Sequence, residues 1–238
     1  MGKPGYGKRI DVLATLRAAA PWQKIRRAAR PDVSAKFIIF PRDIHVKQYE
    51  MPSERVVIFG VDASGSAALA RLSEAKGAIE IMLSDAYAKR DYVALVGFRG
   101  QSAEVLLPPT RSLVLAKKTL ASFAGGGGTP LASGMKCALE LAEKSKRDGR
   151  TPTLAFLTDG KANIALDGSA NRDSAMIDVT QLAGFAHQMG VSSIMIDVGR
   201  RPNAKLEQVA VTMGGHYLPL PLADARSVSN IIRNSMVE

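Results

Sequence analysis

Short, continuous apolar runs alternate in this chain with longer stretches of helical periodicity, and this alternation restricts the possible folds more than any other feature. The clearest run is Val56–Val61, which contains no polar residue. A strand that is buried on both faces has this pattern, whereas a strand with one solvated face alternates apolar and polar residues. Five further segments predict strands, at Tyr92–Phe98, Ala103–Leu107, Thr153–Leu157, Ser192–Val198 and His216–Leu220.

Helical patterns lie between most of these runs. They cover Ala67–Lys89, Leu113–Phe123, Pro130–Arg147, Ala175–Met189, Ala204–Met213 and Ala223–Met236. Strands that alternate with helices predict a doubly wound α/β fold, in which helices cover both faces of a mostly parallel sheet. The connection from Phe98 to Ala103 is too short for a crossover helix, so it predicts a hairpin. We therefore expect a six-stranded sheet with one antiparallel strand at its edge.

The N-terminal part differs in charge and pattern. Residues 1–54 hold 11 Lys or Arg and 5 Asp or Glu, so they carry +6 of the total formal charge of +10. One helix is predicted from Val12 to Arg30, interrupted by Pro21 and ended by Pro31. The aromatic residues of this segment do not form a row of base-stacking platforms among the basic ones, so we expect no nucleic-acid partner. We interpret residues 1–54 as a basic linker with one helix and residues 55–238 as the α/β domain.

Composition excludes several classes of protein. Hydrophobic residues make up 46% of the chain, which is enough for a sizeable core. The single cysteine, Cys137, excludes an internal disulfide framework and favours a reducing, cytoplasmic setting. No apolar run reaches the roughly 20 residues that span a bilayer, so no membrane span is expected. Gly2–Lys8 is close to a phosphate-binding loop, but Arg9 stands where Ser or Thr would bind Mg²⁺, so nucleotide binding is not expected.

Oxygen-bearing side chains follow two of the predicted strands and a glycine-rich loop. Asp62, Ser64 and Ser66 follow the first strand, Asp159 follows the strand Thr153–Leu157, and Thr129 follows four consecutive glycines. Ligands of open parallel sheets sit beyond the carboxyl ends of the strands, where these residues should meet. Hard oxygen donors suit Mg²⁺, which takes six of them.

Two interpretations of these residues remain open at this point. In the first interpretation these residues form a metal site. Its two carboxylates and three hydroxyls leave the coordination shell of the ion incomplete, which favours an additional anionic ligand from a partner. The alternative for Asp62, Ser64 and Ser66 is a helix cap with incidental serines.

The pattern Asp-x-Ser-x-Ser, a distant Thr and a Thr-Asp-Gly aspartate resembles the metal-ion-dependent adhesion site of von Willebrand factor A-type (integrin I-like) domains. Longer strings resemble the D subunit of magnesium chelatase. They are Val61–Ala68, Phe98–Gly100, Leu106–Ser112, Gly125–Leu131, Leu157–Asn163, Tyr217–Leu220 and Leu16–Gln23. The resemblance covers nearly the whole chain and implies a von Willebrand A fold. It also implies metal ligation by Asp62, Ser64, Ser66, Thr129 and Asp159, with Mg²⁺ as the ion and Mn²⁺ as a substitute.

The resemblance further implies a role in ATP-driven insertion of Mg²⁺ into protoporphyrin IX. The expected partners are the AAA+ motor subunit and the porphyrin-binding subunit, with an acidic side chain of a partner at the metal, in an oligomeric complex. No AAA+ module is recognised, so the chain resembles the C-terminal part of the D subunit. We expect a non-catalytic coupling domain of a nitrogen–metal ligase. The alternatives are a scaffold or adhesion domain in another pathway and a Mg²⁺-dependent phosphate-ester hydrolase, which is disfavoured because no general base is identified.

Overall fold

The computed structural model describes residues 10–46, 54–64, 82–123 and 125–219. The chain divides into two compact units, Met1–Pro52 and Ser53–Glu238. Four predictions lie outside the described residues. They concern Ser66, the loop Gly2–Lys8, most of the helix Ala67–Lys89 and the helix Ala223–Met236.

A six-stranded sheet forms the centre of the second unit. Its strands are β1 (Arg55–Asp62), β2 (Tyr92–Arg99), β3 (Ser102–Thr110), β4 (Thr151–Thr158), β5 (Ser192–Asp197) and β6 (His216–Pro219). The order across the sheet is β3-β2-β1-β4-β5-β6. Every neighbouring pair is parallel except β2 and β3, which form an antiparallel hairpin that leaves β3 at one edge. The predicted fold class is confirmed, and β1, which carries Asp62, lies at the centre.

Helices cover both faces of this sheet. In the second unit they are α3, to which residues 82–88 belong, α4 (Leu113–Ser122), α5 (Leu131–Arg147), α6 (Arg172–Gln188) and α7 (Ala204–Thr212). Val56 and Ile58 of β1 pack in one apolar layer with α5, α6 and α7. Val57 and Phe59 pack in the other layer with α3 and α4. Successive residues of β1 therefore pack into opposite apolar layers, which explains why the strand has no polar residue between Arg55 and Asp62.

Helix α5 approaches the sheet closely through a glycine. A Cβ atom on Gly134 would lie 2.4 Å from the ring of Phe98, a fully buried residue of β2. Only a residue without a side chain fits this contact. The first turn of α5 is thereby fixed against β2, directly after the loop that carries Thr129.

Residues 10–46 of the first unit contain the helices α1 (Val12–Ala19) and α2 (Gln23–Ala29), separated by a 3₁₀ turn at Ala20–Trp22. The single helix predicted over Val12–Arg30 is therefore two helices, because Pro21 lacks the N–H that an uninterrupted α-helix requires. Residues 36–40 and 44–46 form no strand. Val46 makes a single antiparallel bridge with Ile10.

A buried ion pair joins α2 to the segment that follows it. Arg26 donates to both carboxylate oxygens of Asp43, at 2.5 and 2.9 Å, and to the carbonyl oxygen of Ile38 at 2.9 Å. The Asp43 carboxylate also accepts the backbone N–H of Phe40, whose ring lies 4.3 Å from the Arg26 guanidinium. The hydrogen bond from Arg26 is the largest cause that lowers the pKa of Asp43, to about 2. Residues 10–46 therefore have a polar core, which the interpretation as a linker did not anticipate.

No helix in the described ranges is both long enough and apolar enough to cross a membrane.

The depressed pKa of Asp43 predicts a specific acid sensitivity of the first unit. Because the folded-state pKa lies below the ordinary value near 3.8, the pair stabilises the unit fully above about pH 4. This stabilisation is lost as the pH falls towards 2, where Asp43 becomes protonated. Asp43→Asn should lower the urea midpoint of the unit at pH 7. It should also remove the part of the acid-induced loss of stability that comes from protonation of Asp43.

Fluorescence of Trp22 reports on this unit because the chain contains a single tryptophan, in the turn between α1 and α2. Asp32→Asn is the matched control, since Asp32 is exposed. Equal acid sensitivity of the wild type and Asp43→Asn would contradict the assignment.

Candidate metal centre

Asp62 lies at the carboxyl end of β1 and is buried there. The parallel register pairs Val61 with Leu157, so the end of β4 lies beside the end of β1. The hydroxyl of Thr158, which is fully buried, donates to Asp62 Oδ2 at 2.7 Å. The backbone N–H of Ser64 donates to Asp62 Oδ1 at 2.9 Å. Both oxygens of the carboxylate are thus held by the two central strands and the loop after β1.

The electrostatic setting of Asp62 favours the binding of a cation. Burial is the largest cause that raises the pKa of this carboxyl group. Hydrogen bonds from Ser64 and Thr158 act in the opposite direction, and the negative charge of Asp159 raises the pKa further. A buried carboxylate beside a second carboxylate costs free energy, and a bound cation would offset that cost.

Thr129 reaches the same place from the glycine-rich loop. Its hydroxyl donates to the hydroxyl oxygen of Ser64 at 2.6 Å. Its backbone is held by Asn163, because Asn163 Oδ1 accepts the Thr129 N–H at 2.7 Å and the Asn163 N–H donates to the Thr129 carbonyl at 3.2 Å. This reciprocal pair joins the loop before α5 to the loop after β4.

The glycines before Thr129 allow the loop to lie against its neighbours. Gly126 donates to the carbonyl oxygen of Ala63 at 2.7 Å, and Gly127 has a φ of +84°. A Cβ on Gly128 would lie 2.9 Å from the carbonyl oxygen of Gly100 and 3.1 Å from Asn163 Oδ1. A side chain at this position would push Thr129 away from Ser64.

Asp159 lies on the solvent side of the cluster, with 10% of its side chain exposed. Its Oδ1 accepts the backbone N–H of Lys161 at 3.2 Å, and its Oδ2 lies 3.1 Å from Lys161 Nζ. Its backbone carbonyl accepts a hydrogen bond from Asn203 Nδ2 at 3.1 Å. Asn203 also caps the N-terminus of α7, so this helix fixes the backbone of the Asp159 loop.

Four of the five predicted ligands lie in the described residues, and three of them are joined by hydrogen bonds. Ser64 contacts both Asp62 and Thr129, and Asp159 is close enough to influence the pKa of Asp62. A helix cap needs only the local bond between Ser64 and Asp62. The contacts with Thr129 and Thr158 come from 65 and 96 residues away along the chain, which the cap interpretation does not explain.

Sequence reasoning did not assign roles to Thr158, Asn163 or Asn203. Thr158 could have been recognised, because it ends β4 at the level where β1 ends with Asp62. No signal in the sequence identifies Asn163 or Asn203, because their roles depend on how the loops fold back over the sheet.

The donor set matches a hard divalent ion. No group of three or more His, Cys, Asp or Glu residues suited to a metal occurs among residues 10–46, 54–64, 82–123 and 125–219. The cluster instead combines hydroxyls with two carboxylates, the mixture that Mg²⁺ or Mn²⁺ accepts and Zn²⁺ does not favour.

Removal of the Asn163 side chain should weaken cation binding at this cluster. Asn163→Ala deletes the acceptor of the Thr129 N–H and frees the Thr129 loop, so we expect the affinity for Mn²⁺ to fall by about 10-fold or more, as for other residues that orient ligands. Isothermal titration with Mn²⁺ measures this change.

Asn171→Ala is the matched control, because Asn171 caps α6. It should cost about 1 kcal/mol of stability and leave the Mn²⁺ affinity unchanged. Equal Mn²⁺ affinities in Asn163→Ala and the wild type would contradict the role of Asn163.

Two known protein families match the chain, and each match falls within one of the two compact units. Residues 57–161 match the von Willebrand factor type A domain family, and residues 3–49 match the AAPxQ domain family. The second match includes Ala19–Gln23, which reads Ala-Ala-Pro-Trp-Gln.

Similar proteins include subunits of one enzyme complex. The chain is 50% identical to the magnesium-chelatase 60 kDa subunit of Cereibacter sphaeroides, over 99% of this chain and 42% of the relative. It is 37% identical to the magnesium-chelatase 67 kDa subunit of Heliobacterium mobile, over 98% of this chain and 36% of the relative. The chain therefore spans less than half the length of these curated relatives.

A solved structure supports the fold. The vWF domain of the type V pili tip protein Mfa5 from Porphyromonas gingivalis superimposes with a TM-score of 0.57 at 15% identity, over 78% of this chain and 96% of that one. At this level of identity the similarity concerns the fold alone.

Proposed function

Because the chain belongs to the family of magnesium-chelatase 60 and 67 kDa subunits and carries a von Willebrand factor type A domain, we propose that it is a metal-dependent docking module of such a complex. In this proposal one Mg²⁺ lies at the carboxyl ends of β1 and β4, and an acidic side chain of a partner subunit completes its coordination. The partners are the AAA+ motor subunit and the porphyrin-binding subunit. The activity of the whole complex is ATP-driven insertion of Mg²⁺ into protoporphyrin IX.

The observation that carries the proposal is the contact between the Ser64 and Thr129 hydroxyls beside the Asp62 carboxylate. These oxygens come from two loops far apart in the sequence and meet at one end of the sheet. Asp62, Ser64, Ser66, Thr129 and Asp159 would hold the ion. A bound Mg²⁺ supplies an electrophilic position that attracts a carboxylate from outside the chain.

The residues around the ion favour docking over catalysis. Asp62 is the buried carboxylate of the site, and both of its oxygens already accept hydrogen bonds. It is therefore placed to hold a cation rather than to take a proton from water. Asn163 and Thr158 fix the ligands, which favours retention of the ion over its delivery to a porphyrin. We propose that this chain alone catalyses no reaction and couples other subunits.

Metal removal should weaken docking. With the chain immobilised, the purified AAA+ motor subunit should bind at least about 10-fold more weakly in EDTA than in Mg²⁺ or Mn²⁺, because a carboxylate at the metal is a charge-assisted contact. Asp62→Ala and Thr129→Ala should cause the same loss in the presence of metal. Thr129→Ala should perturb the fold less than Asp62→Ala, because it removes only one hydroxyl and one methyl group.

Asp167→Ala is the matched control, since it removes one negative charge from an exposed part of the loop after β4. It should bind the motor subunit as the wild type does. Equal binding by all variants, with and without EDTA, would rule out the docking mechanism. Metal-dependent binding of unrelated acidic proteins with equal affinity would instead favour a scaffold domain of another pathway.

A further inference from the structure

Lys161 contacts Asp159 through both its backbone and its side chain. Its N–H donates to Asp159 Oδ1 at 3.2 Å, and its Nζ lies 3.1 Å from Asp159 Oδ2. The Lys161 side chain is 71% exposed, whereas that of Asp159 is 10% exposed. The lysine ammonium group therefore lies at the boundary between the cluster and solvent, beside the carboxylate of Asp159.

The fold fixes the position of the Lys161 main chain but not the position of its ammonium group. Gly160 has a φ of +71°, and a Cβ at this position would lie 2.7 Å from Asn203 Nδ2. The tight turn at Gly160 is thereby held against α7, and the N–H of Lys161 remains on Asp159 whatever its side chain does. The four-carbon stem is flexible and mostly solvated, so Nζ can leave Asp159 without a change in the fold.

The net charge of the cluster determines whether Lys161 is attracted to Asp159 or repelled by a bound ion. When both carboxyl groups are ionised and no metal ion is present, Asp62 and Asp159 carry two negative charges and Lys161 offsets one of them. With a divalent ion bound, the same three side chains and the ion sum to +1. The positive charge of Lys161 then opposes the ion and attracts an incoming carboxylate.

We propose that Lys161 is an exchangeable counter-ion of this site, which pairs with Asp159 when the metal is absent and with the acidic side chain of the partner when the metal is present. This inference rests on the proposed function. It adds a second positive contact to the recognition of the partner's acid. Metal binding and partner binding are coupled through the displacement of one ammonium group.

Two measurements with opposite expected signs test the proposal. Lys161→Met keeps the length of the side chain and removes its charge, so it should bind Mn²⁺ about two- to fivefold more tightly than the wild type, the range for an exposed ion pair. The same variant in saturating Mn²⁺ should bind the purified AAA+ motor subunit about two- to fivefold more weakly. Lys161→Arg retains the charge and should resemble the wild type in both measurements.

Lys117→Met provides the control for net charge, because Lys117 is exposed on α4 and its loss changes the formal charge equally. It should change neither affinity. Raised salt should reduce the difference between Lys161→Met and the wild type, since screening weakens exposed charge pairs.

The outcomes separate this inference from the proposed function. If the wild type binds no Mn²⁺ in isothermal titration, the metal site fails, and the inference fails with it. If the wild type binds Mn²⁺ and Lys161→Met binds it with the same or lower affinity, only the inference is overturned. Undiminished docking of the motor subunit to Mn²⁺-loaded Lys161→Met would overturn the partner contact.

Discussion

The hydrogen bond from the Thr158 hydroxyl to the Asp62 carboxylate connects the core of this protein to its candidate site. Asp62 ends a central strand that is covered by apolar layers on both faces. This burial raises the pKa of its carboxyl group. The neighbouring parallel strand supplies the stabilising hydroxyl, because its register places Thr158 at the level of Asp62. The positions of Ser64, Thr129 and Asp159 follow from the loops that leave these two strands.

Much of the fold could be predicted because the central parallel strands β1, β2, β4 and β5 are buried on both faces. That condition produces uninterrupted apolar runs such as Val56–Val61, which are easily separated from the helical stretches between them. Strand ends were less accurate. β3 continues to Thr110, although Pro108 and Pro109 would interrupt an interior strand, because the edge position of β3 tolerates residues that lack an N–H.

The candidate site was only partly predictable. The candidate ligands Asp62 and Thr129 could be identified from their positions after a strand and after a run of glycines. The residues that orient them could not, because Asn163 and Asn203 act through backbone groups of distant loops. A hydrogen bond between a side chain and a remote backbone leaves no spacing pattern in the sequence.

The first unit shows a different limit. A count of charges describes residues 1–54 as basic and favours a solvated linker. Arg26 belongs to that excess charge, yet it is buried against Asp43, 17 residues away. Net charge cannot distinguish a cation in solvent from one that organises a small polar core, because both contribute equally to the sum.

The separation of Asp62 from Thr158 by 96 residues has a consequence for synthesis. The ribosome releases β1 and the Ser64 loop long before it releases β4. A nascent chain that ends anywhere before Thr158 therefore has neither the partner of Asp62 nor Asp159. Under the docking proposed above, a chain whose central strands are incomplete would lack part of the candidate metal site.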